Sequence, residues 1–194
     1  MGCRDSRTVK EFNKINIDAY FSGCPTITLK NPEIERTDEV LVVDAHLKNA
    51  AGHIPDTTQL LRSLVPSYIL EKAKFLTHNV EPYKYRWHGY KLNRAIDLLT
   101  YYAKAKLVIT SRLHCALPCL AFGTPCVFIH KNLHTDFRLK DYTNVLNGYD
   151  SPSDTVKINW DSPEATDISE LYKITKNSID SKLSDILLKV PFYG

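Results

Sequence analysis

The chain lacks long apolar runs, basic tracts and a paired-cysteine framework, and each absence removes a class of protein. No stretch of its 194 residues approaches the ~18 consecutive apolar residues that cross a bilayer, so no membrane span is expected. Met1-Gly-Cys-Arg-Asp-Ser-Arg-Thr8 is polar, unlike a secretory leader. A formal net charge of +3 without Lys/Arg clusters leaves no footprint for nucleic acid. Five cysteines form an odd set without extracellular-type spacing, and Cys115, Cys119 and Cys126 fall in apolar segments. They read as small buried hydrophobes in a reducing compartment, hence a cytoplasmic protein. Cys115 and Cys119 share a helix face beside His114, but no two further ligands stand nearby, so neither a metal nor another cofactor is expected. Internal repeats and low-complexity tracts are missing too.

What is present is an alternation of strand and helix signals. Thr8 to Lys14 reads as a short helix and Ile17 to Phe21 as a strand, followed by a turn at Ser22-Gly-Cys-Pro25. Glu39 to Asp44 is a β-branched apolar run typical of a strand buried on both faces. Asp56 or Thr57 caps a helix through Leu60, Leu61 and Leu64, which Pro66 interrupts before a further turn towards Ala73. Lys74 to His78 is the next strand and Glu81 to Gly89 an aromatic-rich loop. Lys91 to Lys104 is a helix with Leu92, Ile96, Leu99 and Ala103 on one side. Leu107 to Ile129 reads as a buried strand, a tight turn, a short apolar helix closed by Gly123, and a second buried strand. Asp136 to Leu146 is expected to be helical, and a terminal helix carries apolar residues from Ile168 to Leu187 at helical spacing, docked on the sheet. The alternation predicts an α/β fold: a Rossmann-like, mostly parallel sheet with helices on both faces. The expected organisation is one domain over 1–194, with a core at 1–146, a loop at 147–165 and a carboxyl-terminal helix at 166–189.

One junction carries most of the chemistry. Arg112 and His114 stand where the strand Leu107 to Thr110 hands over to a helix, the edge of a parallel sheet at which ligands bind. Thr110 or Ser111 supplies the expected N-cap. Two cations then oppose the helix dipole, which makes sense if an anion reverses the balance. The structural alternative pairs Arg112 with Asp44 or Asp136 and makes His114 a hydrogen-bonded core residue; spacing leaves both open. His46 and His78 follow buried strands and so lie near the same edge, as do His130 and His134 around Lys131-Asn132. Asp136 and Arg138 are expected to pair with each other or to cap a helix. His53 and His88 carry no assignment. Tyr83, Tyr85, Trp87 and Tyr90 either stack on sugar rings or pack over the sheet edge.

Val108 to Pro125 resembles the polysaccharide pyruvyltransferase family, whose members carry a strand-turn-helix of the form [VI]-[VI]-[ST]-x-R-L-H followed by G-x-P. The resemblance extends to the Arg4-Asp5 segment, to the Ser22–Pro25 turn with Thr26 to Leu29, and to Arg94, covering roughly Gly2 to Leu146. It implies the carboxyl-terminal, donor-binding half of a GT-B-like fold and transfer of a pyruvyl group from phosphoenolpyruvate, as donor substrate, to a hydroxyl pair of a glycan. By that resemblance Arg4, Ser111, Arg112 and Leu113 bind the donor and His114 is catalytic, protonating the methylene carbon while Arg4 and Arg112 clamp the two anionic groups. Asp5 is either a base for the acceptor hydroxyl or a solvated or Arg-paired residue. Cys24 stands where relatives often carry Asp. The family's architecture places a further half before Arg4, so a homo-oligomer or a partner is expected to supply the missing wall. Two other readings stay open: a nucleotide-sugar glycosyltransferase of the same fold class, with Asp136 reading ribose hydroxyls, and a non-catalytic donor-binding half acting as a partner module.

Overall fold

A computed structural model describes residues 1–45, 56–80, 89–131, 133–149 and 158–187. The three apolar runs form β3 (Val40–Val43), β5 (Leu107–Thr110) and β6 (Cys126–Ile129), and every residue in them is buried. Two smaller strands precede them, β1 (Gly2–Cys3) and β2 (Tyr20–Phe21), paired in parallel as a separate ribbon. With β4 (Lys74–Leu76) and β7 (Gly148–Tyr149), the three buried strands make a five-stranded sheet in the order β4-β3-β5-β6-β7. All its pairings are parallel. The fold is therefore α/β and Rossmann-like, and the strand order is the 2-1-3-4-5 of doubly wound sheets.

The helices are α1 (Ser6–Lys14), α2 (Asp56–Leu64), α3 (Ser67–Lys72), α4 (Tyr90–Lys104), α5 (Leu113–Ala121) and α6 (Ser169–Leu187). Side chains alternate across the pleat, so each strand feeds two cores. Leu41, Val43, Val108 and Phe128 meet α4 and α5 on one face, where Cys115, Cys119 and Cys126 pack as buried thiols. Val42, Ile109 and Ile129 meet Leu60, Leu61 and Ile69 of α2 and α3 on the other. Pro66 stands between α2 and α3, where its ring ends the first helix.

Gly123 closes α5 in the left-handed region (φ 66°), with Thr124 N–H donating to Cys119 O and Gly123 N–H to Leu120 O. That is a Schellman cap. Beside it, the Arg36 guanidinium donates to Phe122 O and Gly123 O and also to Ala105 O, just beyond the end of α4. One side chain thus satisfies carbonyls at the negative ends of two helix dipoles.

Five expectations change. Only Tyr20–Phe21 of the Ile17–Phe21 stretch is strand. Asp136 to Leu146 contains a single 3-10 turn at Lys140–Tyr142 rather than a helix, because Asp141 and Tyr142 are drawn out to bond the amino-terminal segment. The 147–165 loop includes β7, whose two residues are too few to give a hydrophobic pattern. On α4 Ala103 is buried as expected and Leu99 packs against the core, but the buried row also takes in Leu98 and Tyr102, whose hydroxyl reaches inward to His78, and Leu92 and Ile96 are exposed. Finally, α6 packs on the Pro25–Thr28 turn instead of the sheet. Leu171 and Thr175 are buried there, and Gly23 is required because a Cβ on it would lie 2.1 Å from the Thr175 hydroxyl.

Arg36→Ala is expected to cost about 1–2 kcal/mol in urea unfolding, because three carbonyls lose a charged donor. Arg36→Lys should recover less than half of that loss, since an ammonium cannot span all three.

Candidate active site

The site begins at the point where the sheet reverses direction. The chain leaves β3 for β4 on one side, and β5 then returns to pair with β3 on the other. Register places Val43 opposite Thr110, so Asp44 and Ser111 emerge side by side at the carboxyl edge. Three hydroxyl bonds lock this junction. Thr110 Oγ1 donates to Val43 O at 2.8 Å and accepts from Arg112 N–H at 3.0 Å, while Ser111 Oγ donates to Asp44 O at 2.9 Å. Neither hydroxyl is the N-cap. Arg112 itself occupies that position in extended backbone without a side-chain cap, which moves the helix start to Leu113.

Arg4, Ser111, Arg112, Leu113 and His114 all line one cavity of about 330 Å³. Arg4 arrives from the other end of the chain. The Tyr142 hydroxyl donates to Arg4 O at 3.0 Å, and the Asp141 carboxylate accepts from both the amide and the hydroxyl of Ser6. Asp5, also lining the cavity, is the N-cap of α1 and accepts from Thr8 N–H and Thr8 Oγ1. Both of its oxygens therefore bond the helix, and it pairs with no arginine among the described residues. Cys24 contributes a buried thiol that donates to Thr26 Oγ1.

Arg4 Nη1 lies 3.0 Å from His114 Nε2. A guanidinium only donates, so Nε2 must accept and the imidazole proton sits on Nδ1. The pKa of His114 is lowered by burial first, then by Arg4 and His78. His114 is thus neutral in the ligand-free protein, with its lone pair covered by a cation. Beneath it His78 Nε2 meets the Tyr102 hydroxyl at 2.6 Å, and burial among the cysteine thiols pushes the Tyr102 phenol well above its ordinary range.

Arg112 realises both readings of the sequence at once. Its Nε donates to Asp44 Oδ2 at 3.0 Å, yet the side chain stays 48% exposed in the cavity wall. The opposite wall carries His130, Asp136 and Arg138. Arg138 grips Asp136 as a fork, which holds that carboxyl down to about 2. His130 stacks on Phe128 at 5.9 Å, and burial lowers its pKa against the opposing pull of Asp136. Arg138 and His130 belong to the site through tertiary placement; their sequence signal was only a position after the last buried strand.

His134 is exposed and Tyr90 begins α4; neither lines the cavity. Arg94 Nη2 donates to Thr77 O and so braces the β4 edge. His46, His53, His88, Tyr83, Tyr85 and Trp87 lie outside the described residues. Among the described residues no three His, Cys, Asp or Glu side chains are arranged to hold a metal ion, and no helix is long and apolar enough to cross a membrane.

Comparison with known proteins gives one match. The model of the family described as polysaccharide pyruvyl transferase covers residues 1–130, roughly two thirds of the chain. Neither a curated protein nor a solved structure matches.

The Arg4–His114 contact leads to the expectation that anion binding is proton-linked. An anion that draws Arg4 off Nε2 uncovers the lone pair and adds negative charge, so the His114 pKa rises from its depressed value. Binding should then tighten as pH falls through the anion-bound value and level off below the free-protein value. Calorimetry with a phosphate monoester in two buffers of different ionisation enthalpy is expected to show proton uptake. His114→Gln should abolish the protein's share and leave only the titration of the phosphate itself.

Proposed function

The chain belongs to the polysaccharide pyruvyl transferase family, and from that premise we propose that its cavity binds phosphoenolpyruvate and transfers the pyruvyl group to a hydroxyl pair of a glycan as a ketal. One observation carries the reading: Arg4, Arg112 and His114, the first and last 110 positions apart, converge on a single cavity at the sheet's carboxyl edge. Phosphoenolpyruvate presents a phosphate and a carboxylate, which suit two guanidiniums.

The chemistry assigns each group a step. Arg4 turns from His114 to the bound donor, and His114 takes up a proton. Its imidazolium then protonates the methylene carbon, leaving cationic character at the adjacent carbon, where the first sugar hydroxyl attacks. The C–O bond to phosphate breaks, and the second hydroxyl closes the ketal. Of the two hydroxyl protons, one restores His114 and the other leaves with the phosphate. Asp5, being tied up as a helix cap, is not the base in this scheme. The free and buried thiols fit a reducing compartment, which supports a reaction in the cytoplasm. The cavity then forms the donor wall of a GT-B-like cleft, and the acceptor glycan enters from the side facing it. Donor substrate apart, the scheme uses no cofactor.

The nucleotide-sugar alternative needs a carboxylate for ribose hydroxyls. Asp136 was its candidate, and Arg138 engages both oxygens of that group.

Saturating phosphoenolpyruvate is expected to stabilise the protein by ~2–4 kcal/mol in thermal unfolding. Arg112→Ala should reduce the shift, and nucleotide sugars should produce none. A wild-type protein indifferent to phosphoenolpyruvate would rule out this donor. A pyruvyl-transfer assay without an added partner distinguishes a working enzyme from a binding module.

A further inference from the structure

Asp44 is the most constrained polar residue near the cavity, and no step of the proposed reaction uses it. It stands one residue past β3 with its side chain wholly buried and its backbone in the left-handed region, at φ 53°. That conformation is uncommon for a residue with a Cβ and persists only where the surroundings impose it. Here they do. Asp44 N–H donates to Leu76 O of β4, and Asp44 O accepts from the Ser111 hydroxyl. The residue is pinned between the strands on either side of β3.

Its carboxylate is used unevenly. Oδ2 accepts from Arg112 Nε at 3.0 Å and from His78 N–H at 3.1 Å, whereas Oδ1 is buried without a partner among the described residues. An ion pair built for stability alone would use both oxygens in a fork, as Arg138 and Asp136 do on the opposite wall. The side-on contact through Nε instead leaves both terminal nitrogens of Arg112 without a protein partner among the described residues. A carboxylate beside an anion site also weakens that site by its charge. Its presence there is explained by geometry: it removes rotational freedom from a half-exposed guanidinium before the ligand arrives.

We propose that Asp44 is the positioning residue of the donor site, holding Arg112 by Nε so that its terminal nitrogens meet the incoming anion. The inference rests on the donor reading of Arg112. Asp44 touches no substrate; it acts through Arg112.

The test is a double-mutant cycle read by calorimetry with phosphoenolpyruvate and, in parallel, inorganic phosphate. Asp44→Ala should raise the Kd for phosphoenolpyruvate by about tenfold in wild type and by less than about twofold in the Arg112→Ala background, the non-additivity of two groups that act as one. Asp44→Asn, whose side-chain oxygen can still accept both N–H bonds, should stay within about threefold of wild type. Arg112→Lys leaves the buried carboxylate untouched and keeps the charge, but its ammonium cannot bond Asp44 and the anion with separate donors at fixed angles. It should lose about tenfold in affinity, which keeps the proposal testable if Asp44→Ala does not fold. Equal effects of Asp44→Ala with and without Arg112, wild-type affinity in folded Asp44→Ala, or wild-type affinity in Arg112→Lys would each overturn the proposal. Phosphate binding without phosphoenolpyruvate binding defeats the donor assignment alone, and the same criteria then apply to the phosphate series. Binding of neither by the wild type defeats both.

Discussion

The pairing of β3 with β5, at the point where the chain reverses its course across the sheet, is the constraint on which the site depends. Both strands are buried on both faces, so neither can slip by a residue without turning its apolar side chains out of one core and into the other. The Val43–Thr110 register is fixed further by the Thr110 hydroxyl, which is fully buried and donates to the Val43 carbonyl. Everything chemical at this edge follows from that register. It sets Asp44 against Arg112, hands the Ser111 hydroxyl to the Asp44 carbonyl, and starts α5 so that Leu113 and His114 reach the cavity.

Electrostatics suits such an edge to an anionic ligand. A helix start is already electropositive, and this one adds Arg112 at the N-cap and His114 in its first turn, with no acidic residue there. Arg4 is then brought to within hydrogen-bond distance of His114 from the far end of the sequence. Asp44 offsets part of this charge from below, and Asp136 is occupied by Arg138. In the ligand-free protein the excess is relieved by keeping His114 neutral, which is the direction in which burial, Arg4 and His78 all push it. A bound dianion would oppose the Coulombic part of that shift and leave burial, its largest cause, in place.

The readable part of the sequence was the part governed by local rules. Val40–Val43, Leu107–Thr110 and Cys126–Ile129 announced themselves as strands buried on two faces, and Gly123 as the residue that ends α5 in a left-handed turn. The strand-turn-helix around Arg112 and His114 was legible as the carboxyl edge of a buried parallel strand. Residues governed by distant partners did not show. Leu92 and Ile96 satisfy a helical period as well as Leu98 and Tyr102 do, and only the reach of Tyr102 to His78 selects the buried row. Asp136 to Leu146 has helical spacing, but its backbone follows Tyr142, which reaches Arg4 across 138 positions of sequence. Asp44 was visible as a partner for Arg112. Its left-handed backbone and its half-used carboxylate were not, because both depend on Leu76, His78 and Ser111.

The two walls of the cavity differ in how their arginines are held, and the difference follows the limit of the family match except at His130, its last residue. Arg4, Ser111, Arg112, Leu113 and His114 fall within residues 1–130, while Asp136, Arg138 and Tyr142 lie beyond them. On the first wall the guanidiniums are only partly engaged: Arg112 by one nitrogen, Arg4 by a contact to an imidazole that a ligand can displace. On the second, Arg138 is closed on Asp136 by a fork, so its charge is already spent. Yet that second segment is what carries the first into place, since Tyr142 holds the Arg4 carbonyl and Asp141 holds Ser6. A segment outside the shared region thus fixes the position of a residue inside it. The first wall keeps its cations loosely held, and it stays ordered because the residues beneath them are not.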